Sequence, residues 1–244
     1  MLTRVKSWWS LQQFEPGRLG LAVNPFYFAR RGLCRELRPL LAGIAGEVLD
    51  VGCGRKPYRY YTPATRYVGV DIDTPATRAL AAADVFYDGR TLPFPTSSFD
   101  SVLCSQVLEH VFEPDSFLRE IRRVLRPGGT LVLSVPFAWD EHEQPVDYAR
   151  YSSFGLRALL ERTGYEVISL RKVTTGPKAL AQLTSGWLFK ITFSKNKWLR
   201  VLAQLLIIAP VNVAGAVLAA ILPSGEDFYL DNVVSARAAS LTVK

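Results

Sequence analysis

Three features of the sequence predict an α/β fold built on a mostly parallel sheet. A short apolar run, Val48-Leu49-Asp50-Val51, reads as a strand buried on both faces and stops at Gly52-Cys53-Gly54. A second run, Tyr67-Val68-Gly69-Val70, ends in Asp71, 21 positions after Asp50. Further strand-like runs then alternate with helix-like segments, as a parallel sheet with crossover connections requires.

Met1 to Ala45 precedes the first strand and is rich in aromatics: Trp8, Trp9, Phe14, Phe26, Tyr27 and Phe28. Asn24-Pro25 reads as a turn and helix start, and Phe26 to Leu41 as a helix interrupted or ended near Pro39. Most of these aromatics suit a core; Trp8 and Trp9 also suit a membrane interface. Sheet strands are expected at Val48–Val51, Tyr67–Val70, Asp84–Tyr87, Ser101–Cys104 and Thr130–Val135. Between the last two, Phe117, Leu118, Ile121, Val124 and Leu125 recur at helical spacing. They predict a helix over Asp115–Leu125, capped through Pro114-Asp115-Ser116 and closed by Gly128-Gly129. A helix from Ser152 to Arg162 stops at Gly164, and Tyr165–Val173 gives a sixth strand. Asp227 to Arg237 reads as a final strand.

The chain of 244 residues is 49% hydrophobic, enough for one decorated domain with a sizeable core. Cys34, Cys53 and Cys104 are widely spaced and form neither a disulfide nor a metal pattern, which fits a reducing compartment. With only His110 and His142 a zinc cluster is not expected, and Glu141 and Glu143 beside His142 make a weak metal motif. No apolar core follows the basic N-terminal residues, so no signal peptide is visible. The net charge of +7 has a local source. Seven basic residues and no acid lie between Val167 and Gly225, leaving 22 basic against 22 acidic elsewhere. General attraction to nucleic acid is therefore not required.

A strand ending in Gly-x-Gly admits two kinds of nucleotide ligand. A dinucleotide site wants a third glycine, where this chain has Pro57. The acid at the tip of the second strand suits the two hydroxyls of an adenosine ribose. Downstream stand Asp88-Gly89-Arg90-Thr91-Leu92-Pro93-Phe94, Ser98-Phe99-Asp100, Leu108-Glu109-His110 and Arg123-Val124-Leu125-Arg126-Pro127-Gly128-Gly129. From Val48 to Val135 this order of motifs resembles the class I S-adenosylmethionine-dependent methyltransferases of the type 11-like group. The resemblance implies a Rossmann-like seven-stranded sheet, mostly parallel, whose last strand is antiparallel and inserted beside the sixth. It also implies N-terminal helices packing on the sheet, and S-adenosylmethionine as cofactor.

The resemblance carries over residue by residue. Gly52 and Gly54 let the backbone approach the methionine part, with Cys53 between them as a small filler, and Asp50 helps orient the amine. Asp71 holds the ribose hydroxyls, with Ile72 against the adenine. Asp88, next to Gly89, bonds the adenine amino group, and Ser105 and Gln106 face the sulfonium end. The segment Pro136 to Ser152 resembles the loop of methyltransferases often encoded with cell-surface polysaccharide synthesis. There His142 is the expected base or substrate partner, or a pin for the loop through Asp147 or Tyr148. Tyr148 and Arg150 contact a sugar or phosphate, or brace the fold. His110 lies near the cofactor mouth as a substrate-side or architectural residue.

About 50 residues separate the last two strands, where the family has a short hairpin; a loop that long needs structure of its own. Val201 to Leu222 has 22 residues without a charge. As one helix it would span roughly 33 Å, enough for a bilayer core of about 30 Å. A single crossing cannot return both ends to one sheet, and Pro210 and Asn212 interrupt the run. Two short helices dipping into or lying on a membrane are expected. Lys190, Lys195, Lys197 and Arg200, with Trp187 and Trp198, would engage anionic head groups across 187–222. Packing on the domain or in a homodimer is the competing reading. The organisation is then 1–45, a preamble; 46–176 with 226–244, the methyltransferase domain; and 177–225, the insertion. The function expected is methyl transfer to a hydroxyl of a glycan or lipid-linked intermediate, by a cytoplasmic enzyme peripheral to the inner membrane face. A membrane-dissolved small molecule such as a quinone or lipid is the alternative acceptor, and a non-catalytic membrane adaptor the alternative class. No base-flipping motif follows the fourth strand, so nucleic acid is not an expected partner.

Overall fold

The computed structural model describes residue 12 and residues 14–239. Trp8 and Trp9 lie outside them. Seven strands form one sheet: β1 (Gly46–Val51), β2 (Ala64–Ile72), β3 (Val85–Tyr87), β4 (Phe99–Ser105), β5 (Leu125–Pro136), β6 (Tyr165–Thr175) and β7 (Tyr229–Ala238). Their order is β3-β2-β1-β4-β5-β7-β6. β1 to β5 pair in parallel, and antiparallel pairing is confined to the last strands. The order turns back between β1 and β4, so the carboxyl ends of β1 and β4 flank the switch point where α/β sheets hold ligands.

The chain divides into two compact units. One holds 36–137, 141–171 and 232–244. Its core is strand residues such as Leu49, Val102 and Leu133 packed with Leu118, Ile121 and Val124 of helix α4 (Pro114–Val124); α3 (Pro75–Leu80) and α5 (Ser153–Arg162) belong to the same unit. α4 carries no side-chain cap, contrary to expectation, because its N-cap position falls on Glu113; Asp115 lies inside the first turn, where Arg162 pairs with both of its oxygens at 2.7 Å. Ser152 does cap α5, its Oγ accepting from Gly155 N. Gly128-Gly129 falls inside β5 instead of closing α4. Phe99 pairs with Leu125 and Ser101 with Thr130, so four residues of β5 bulge against Asp100 alone. Gly128 takes φ +75° there, and a Cβ on Gly129 would stand 3.0 Å from the Asp100 carbonyl.

The other unit comprises the described residues through Arg35, with 138–140 and 172–231. It is mostly helical: α1 (Gly20–Val23), the first part of α2 (Tyr27–Ala42) through Arg35, α6 (Pro177–Ile191), and α7, a single helix over Lys197–Ile221. α2 runs unbroken through Pro39, because so near its end the proline forfeits only one ladder bond. The expected pair of short apolar helices is one helix instead. A π turn over Gln204–Ile208 precedes Pro210 and absorbs its missing N–H and ring. Asn212 does not break α7 either. Wholly buried, it donates to the carbonyls of Leu21 and Asn24 and accepts from Ser185 Oγ at 2.8 Å. Gln182, also wholly buried, accepts from Phe28 N and Ala29 N and so caps α2 from another helix. A Cβ on Gly215 would lie 2.2 Å from Ala181 Cβ, so glycine sets how closely α7 approaches α6.

The three cysteines are free thiols and all buried.

Candidate functional site

A cavity of about 450 Å³ opens over the carboxyl ends of β1, β2 and β3. Strand tips contribute Gly52, Asp71, Ile72, Tyr87, Asp88 and Gly89 to its lining; later loops add Val107, His110, Phe112 and Tyr148. Gly52 has φ +69°, and a Cβ there would strike Val107 at 2.3 Å. Gly54, at φ +50°, has nothing within 4 Å of its Cβ position, so the loop after β1 presents bare backbone. The Asp71 carboxylate receives Gly54 N at 3.0 Å on one oxygen and Ile72 N at 2.9 Å on the other. A carboxylate accepts about four hydrogen bonds, so capacity remains for two ligand hydroxyls. Asp88 Oδ1 accepts from Arg90 N and Thr91 N, and these bonds hold its acid below the ordinary range. Ile72 offers an exposed apolar surface beside them.

Asp50 lies beneath this wall, 3% exposed, and accepts from Tyr67 Oη at 2.6 Å. Burial pushes its acid up to about 7, with the nearby Asp71 charge adding to the rise, against the opposing effects of Tyr67 and Lys56. Burial likewise pushes the Cys53 thiol up to about 12, aided by Asp50, which keeps it a neutral filler. Ser105 Oγ meets Ser134 Oγ at 2.8 Å, and Gln106 Nε2 donates to the same hydroxyl at 3.3 Å. Neither Ser105 nor Gln106 is on the cavity wall.

The loop after β5 is fastened back under the 3-10 turn Leu108–His110. Tyr148 N and Ala149 N donate to the carbonyl of Glu109, and His110 Nδ1 lies 2.8 Å from the Val146 carbonyl. A carbonyl only accepts, so in neutral His110 the proton is on Nδ1 and Nε2 carries the lone pair. That Nε2 stands 3.9 Å from the wholly buried Glu109 carboxylate and 4.0 Å from that of Glu143. The two histidine rings meet edge to face with centroids 4.8 Å apart. Asp147 pins the loop: it accepts from His142 N at 2.9 Å, lies 3.3 Å from His142 Nδ1, and pairs bidentately with Arg150 at 2.6 and 2.7 Å. Arg150 above all holds the Asp147 acid well below the carboxylate range.

The structure thus brings Gly52, Asp71, Ile72, Asp88, Gly89, His110 and Tyr148 onto one cavity. It puts His142 behind His110 and turns Arg150 into the loop, braced on Asp147. Sequence reasoning passed over Glu109, which carries the loop on its carbonyl, and Tyr67, whose hydroxyl donates to the buried Asp50 carboxylate. The LEH and HE-x-P-x-D motifs held the signal for the first; nothing in the sequence pairs Tyr67 with Asp50. One donor of Glu109, His110 and His142 each come within 4.8 Å of one another, a set that could hold a divalent cation or pass a proton. The histidines, 32 residues apart in sequence, gave no hint of meeting.

A mostly parallel sheet in this order, with a glycine-ended first strand and an acid at the tip of the second, is the fold of the class I methyltransferases. Residues 49–133 match the methyltransferase type 11 family, described as a methyltransferase domain. A probable S-adenosylmethionine-dependent methyltransferase of Mycolicibacterium smegmatis is 32% identical over 162 residues, 61% of this chain and 62% of the relative. The chain therefore spans about three fifths of that relative's length. An O-methyltransferase of Aspergillus nomiae is 28% identical over 59% of this chain and 76% of its own. In fold, an S-adenosylmethionine-dependent methyltransferase from Mesorhizobium loti superimposes with a TM-score of 0.55, at 17% identity, over 86% of this chain and 99% of that one.

The residues fit the cofactor. The open Cβ direction at Gly54, the two-sided carboxylate of Asp71 and the apolar Ile72 beside Asp88 offer what a methionine tail, a ribose and an adenine need.

Proposed function

We propose that this protein methylates an oxygen acceptor, a hydroxyl of a glycan or lipid-linked intermediate, while seated on the cytoplasmic face of a membrane. The observation that carries the reading is the edge-to-face pairing of His110, on the cavity wall, with His142 behind it. Kinship to an O-methyltransferase and the unpartnered apolar face of α7 support the acceptor atom and the membrane.

Asp71 would hold the ribose hydroxyls, Asp88 and Ile72 the adenine, Gly52 and Gly54 would admit the methionine part, and Asp50 would help orient its amine. S-adenosylmethionine supplies a sulfonium methyl group that an in-line nucleophile takes directly. The chain's main task is then alignment and exclusion of water. Tyr148 and Phe112, edge to face at 5.3 Å, flank the acceptor on the loop side. The hydroxyl proton passes to Nε2 of His110, and the resulting imidazolium sits against the carboxylates of Glu109 and Glu143. His142 stands next in line, held by Asp147.

The test follows methyl-labelled S-adenosylmethionine into a lipid-linked sugar presented to the full chain. His110→Ala and His142→Ala should each lower kcat by about 10²–10⁴-fold while leaving cofactor affinity unchanged. Turnover unaffected by His142→Ala would reduce that residue to a loop strut. Label appearing on carbon or nitrogen would remove the oxygen assignment.

A further inference from the structure

In the helical unit a second cavity, of about 340 Å³, is lined by Arg31 and Arg35 of α2, Lys172 and Thr174 of β6, Lys178 of α6 and Ala216 of α7. We propose that it binds the phosphate head of a lipid whose tail lies along α7. This deepens the reading that the protein sits on a membrane and is independent of methyl transfer.

Four cationic side chains converge there, and no acidic residue is among those lining the cavity, among the described residues. Two are steered without being neutralised. Arg31 donates one of its five N–H groups to the Pro16 carbonyl at 2.9 Å and lies over the Tyr27 ring; the Lys172 ammonium lies 5.3 Å from the centre of the Tyr229 ring. The floor is fixed by close approach of α2 and β6: a Cβ on Gly32 would stand 2.2 Å from Thr174 Oγ1, which itself donates to the Phe28 carbonyl. A concave site whose charged side chains are all cationic selects a phosphate oxyanion.

The rim selects the lipid. Ala216 brings α7 to the cavity, and its neighbours Val213 and Val217 are about half exposed, continuing into the exposed Ile221. Leu180, two residues past Lys178, is likewise exposed. An anion with an apolar tail satisfies both surfaces at once; an inorganic phosphate leaves the apolar one bare.

The probe is dihexanoyl phosphatidic acid, kept monomeric and titrated calorimetrically into the full chain, beside inorganic phosphate and dihexanoyl phosphatidylcholine. The expectation is saturable binding of one phosphatidic acid per chain, with inorganic phosphate at least about tenfold weaker and phosphatidylcholine weaker still. Arg31→Gln with Lys178→Gln, both exposed positions, should weaken the phosphatidic acid about thirtyfold. Lys195→Gln with Lys197→Gln removes the same charge outside the cavity and should leave it within about twofold of wild type. S-adenosylmethionine binding, measured on each variant, reports intact folding and stands or falls separately. Equal loss in both double variants would mean general surface attraction and overturn the site. Inorganic phosphate binding as tightly as the lipid would overturn the lipid as occupant. If Arg31→Gln with Lys178→Gln fails to fold, Ala216→Trp, which blocks the rim and spares every charge, must abolish the same titration or the proposal fails.

Discussion

In the sheet unit, residues such as Leu49, Val102 and Leu133 are wholly buried, and the polar groups Asp71 and Asp88 of the cavity wall stand at strand tips. The helical unit has the reverse arrangement: Gln182, Ser185 and Asn212 are wholly buried, whereas Leu206, Val217 and Ile221 are exposed. The first unit is held by apolar area removed from water. Hydrogen bonds that cap α2 and tie α7 to the segment before it specify the second, and its outer face is left apolar. Water rewards the first pattern, while a lipid surface rewards the second, where outward apolar residues cost nothing and inward polar ones fix helix pairing. The contrast between the units lies in which side chains each turns outward.

It can be broken in several places. Asp71→Ala in the sheet unit removes the acceptor for Gly54 N and Ile72 N together with the proposed ribose partner. Calorimetry should show S-adenosylmethionine binding at least about a hundredfold weaker, on the scale of two or more charge-assisted bonds. Gln182→Leu in the helical unit strands Phe28 N and Ala29 N, and should lower stability by about 2 kcal/mol in a denaturant titration. An unchanged midpoint would mean that apolar packing, not hydrogen bonding, holds that unit.

The acid of Asp50, raised to about 7, provides a pH test. Because its folded value lies above the unfolded carboxylate value, the native state retains the proton longer. Stability therefore falls as pH rises from about 4 to 7. A cationic ligand favours the ionised form, so S-adenosylmethionine affinity should rise about tenfold from pH 6 to pH 8. Asp50→Asn should flatten both profiles. The smallest expected effect sharpens the comparison most. Val217→Ser on the exposed face of α7 should change stability by less than about 0.5 kcal/mol while lowering sedimentation with vesicles. A drop as large as that of Gln182→Leu would show that Val217 is covered by protein.

Much of the sheet unit was legible because its signals are local. Val48 to Gly54 declares strand, turn and ligand-facing backbone within seven residues, and Asp71 follows at the spacing a parallel crossover dictates. The β5 bulge escaped because Arg126 to Gly129 looks like a helix stop in isolation. Only pairing with β4 shows that Asp100 faces all four residues. Hydropathy found α7 but cut it at Pro210, since a π turn upstream has no sequence mark. The meeting of His110 with His142 depends on hydrogen bonds from Tyr148 and Ala149 to a backbone carbonyl, a tertiary fact no spacing encodes.

The buried cysteines have a consequence for kinetics. Cys34 belongs to the helical unit, and Cys53 and Cys104 to the sheet unit. Burial raises the acids of Cys53 and Cys104 far enough that neither is a thiolate in the native chain at neutral pH. A thiol reagent therefore reacts with these sulfurs only after the fold around them opens. The wild-type sequence carries one chemical clock in the helical unit and two in the sheet unit, and mass counting of labelled sites tells which unit opened first.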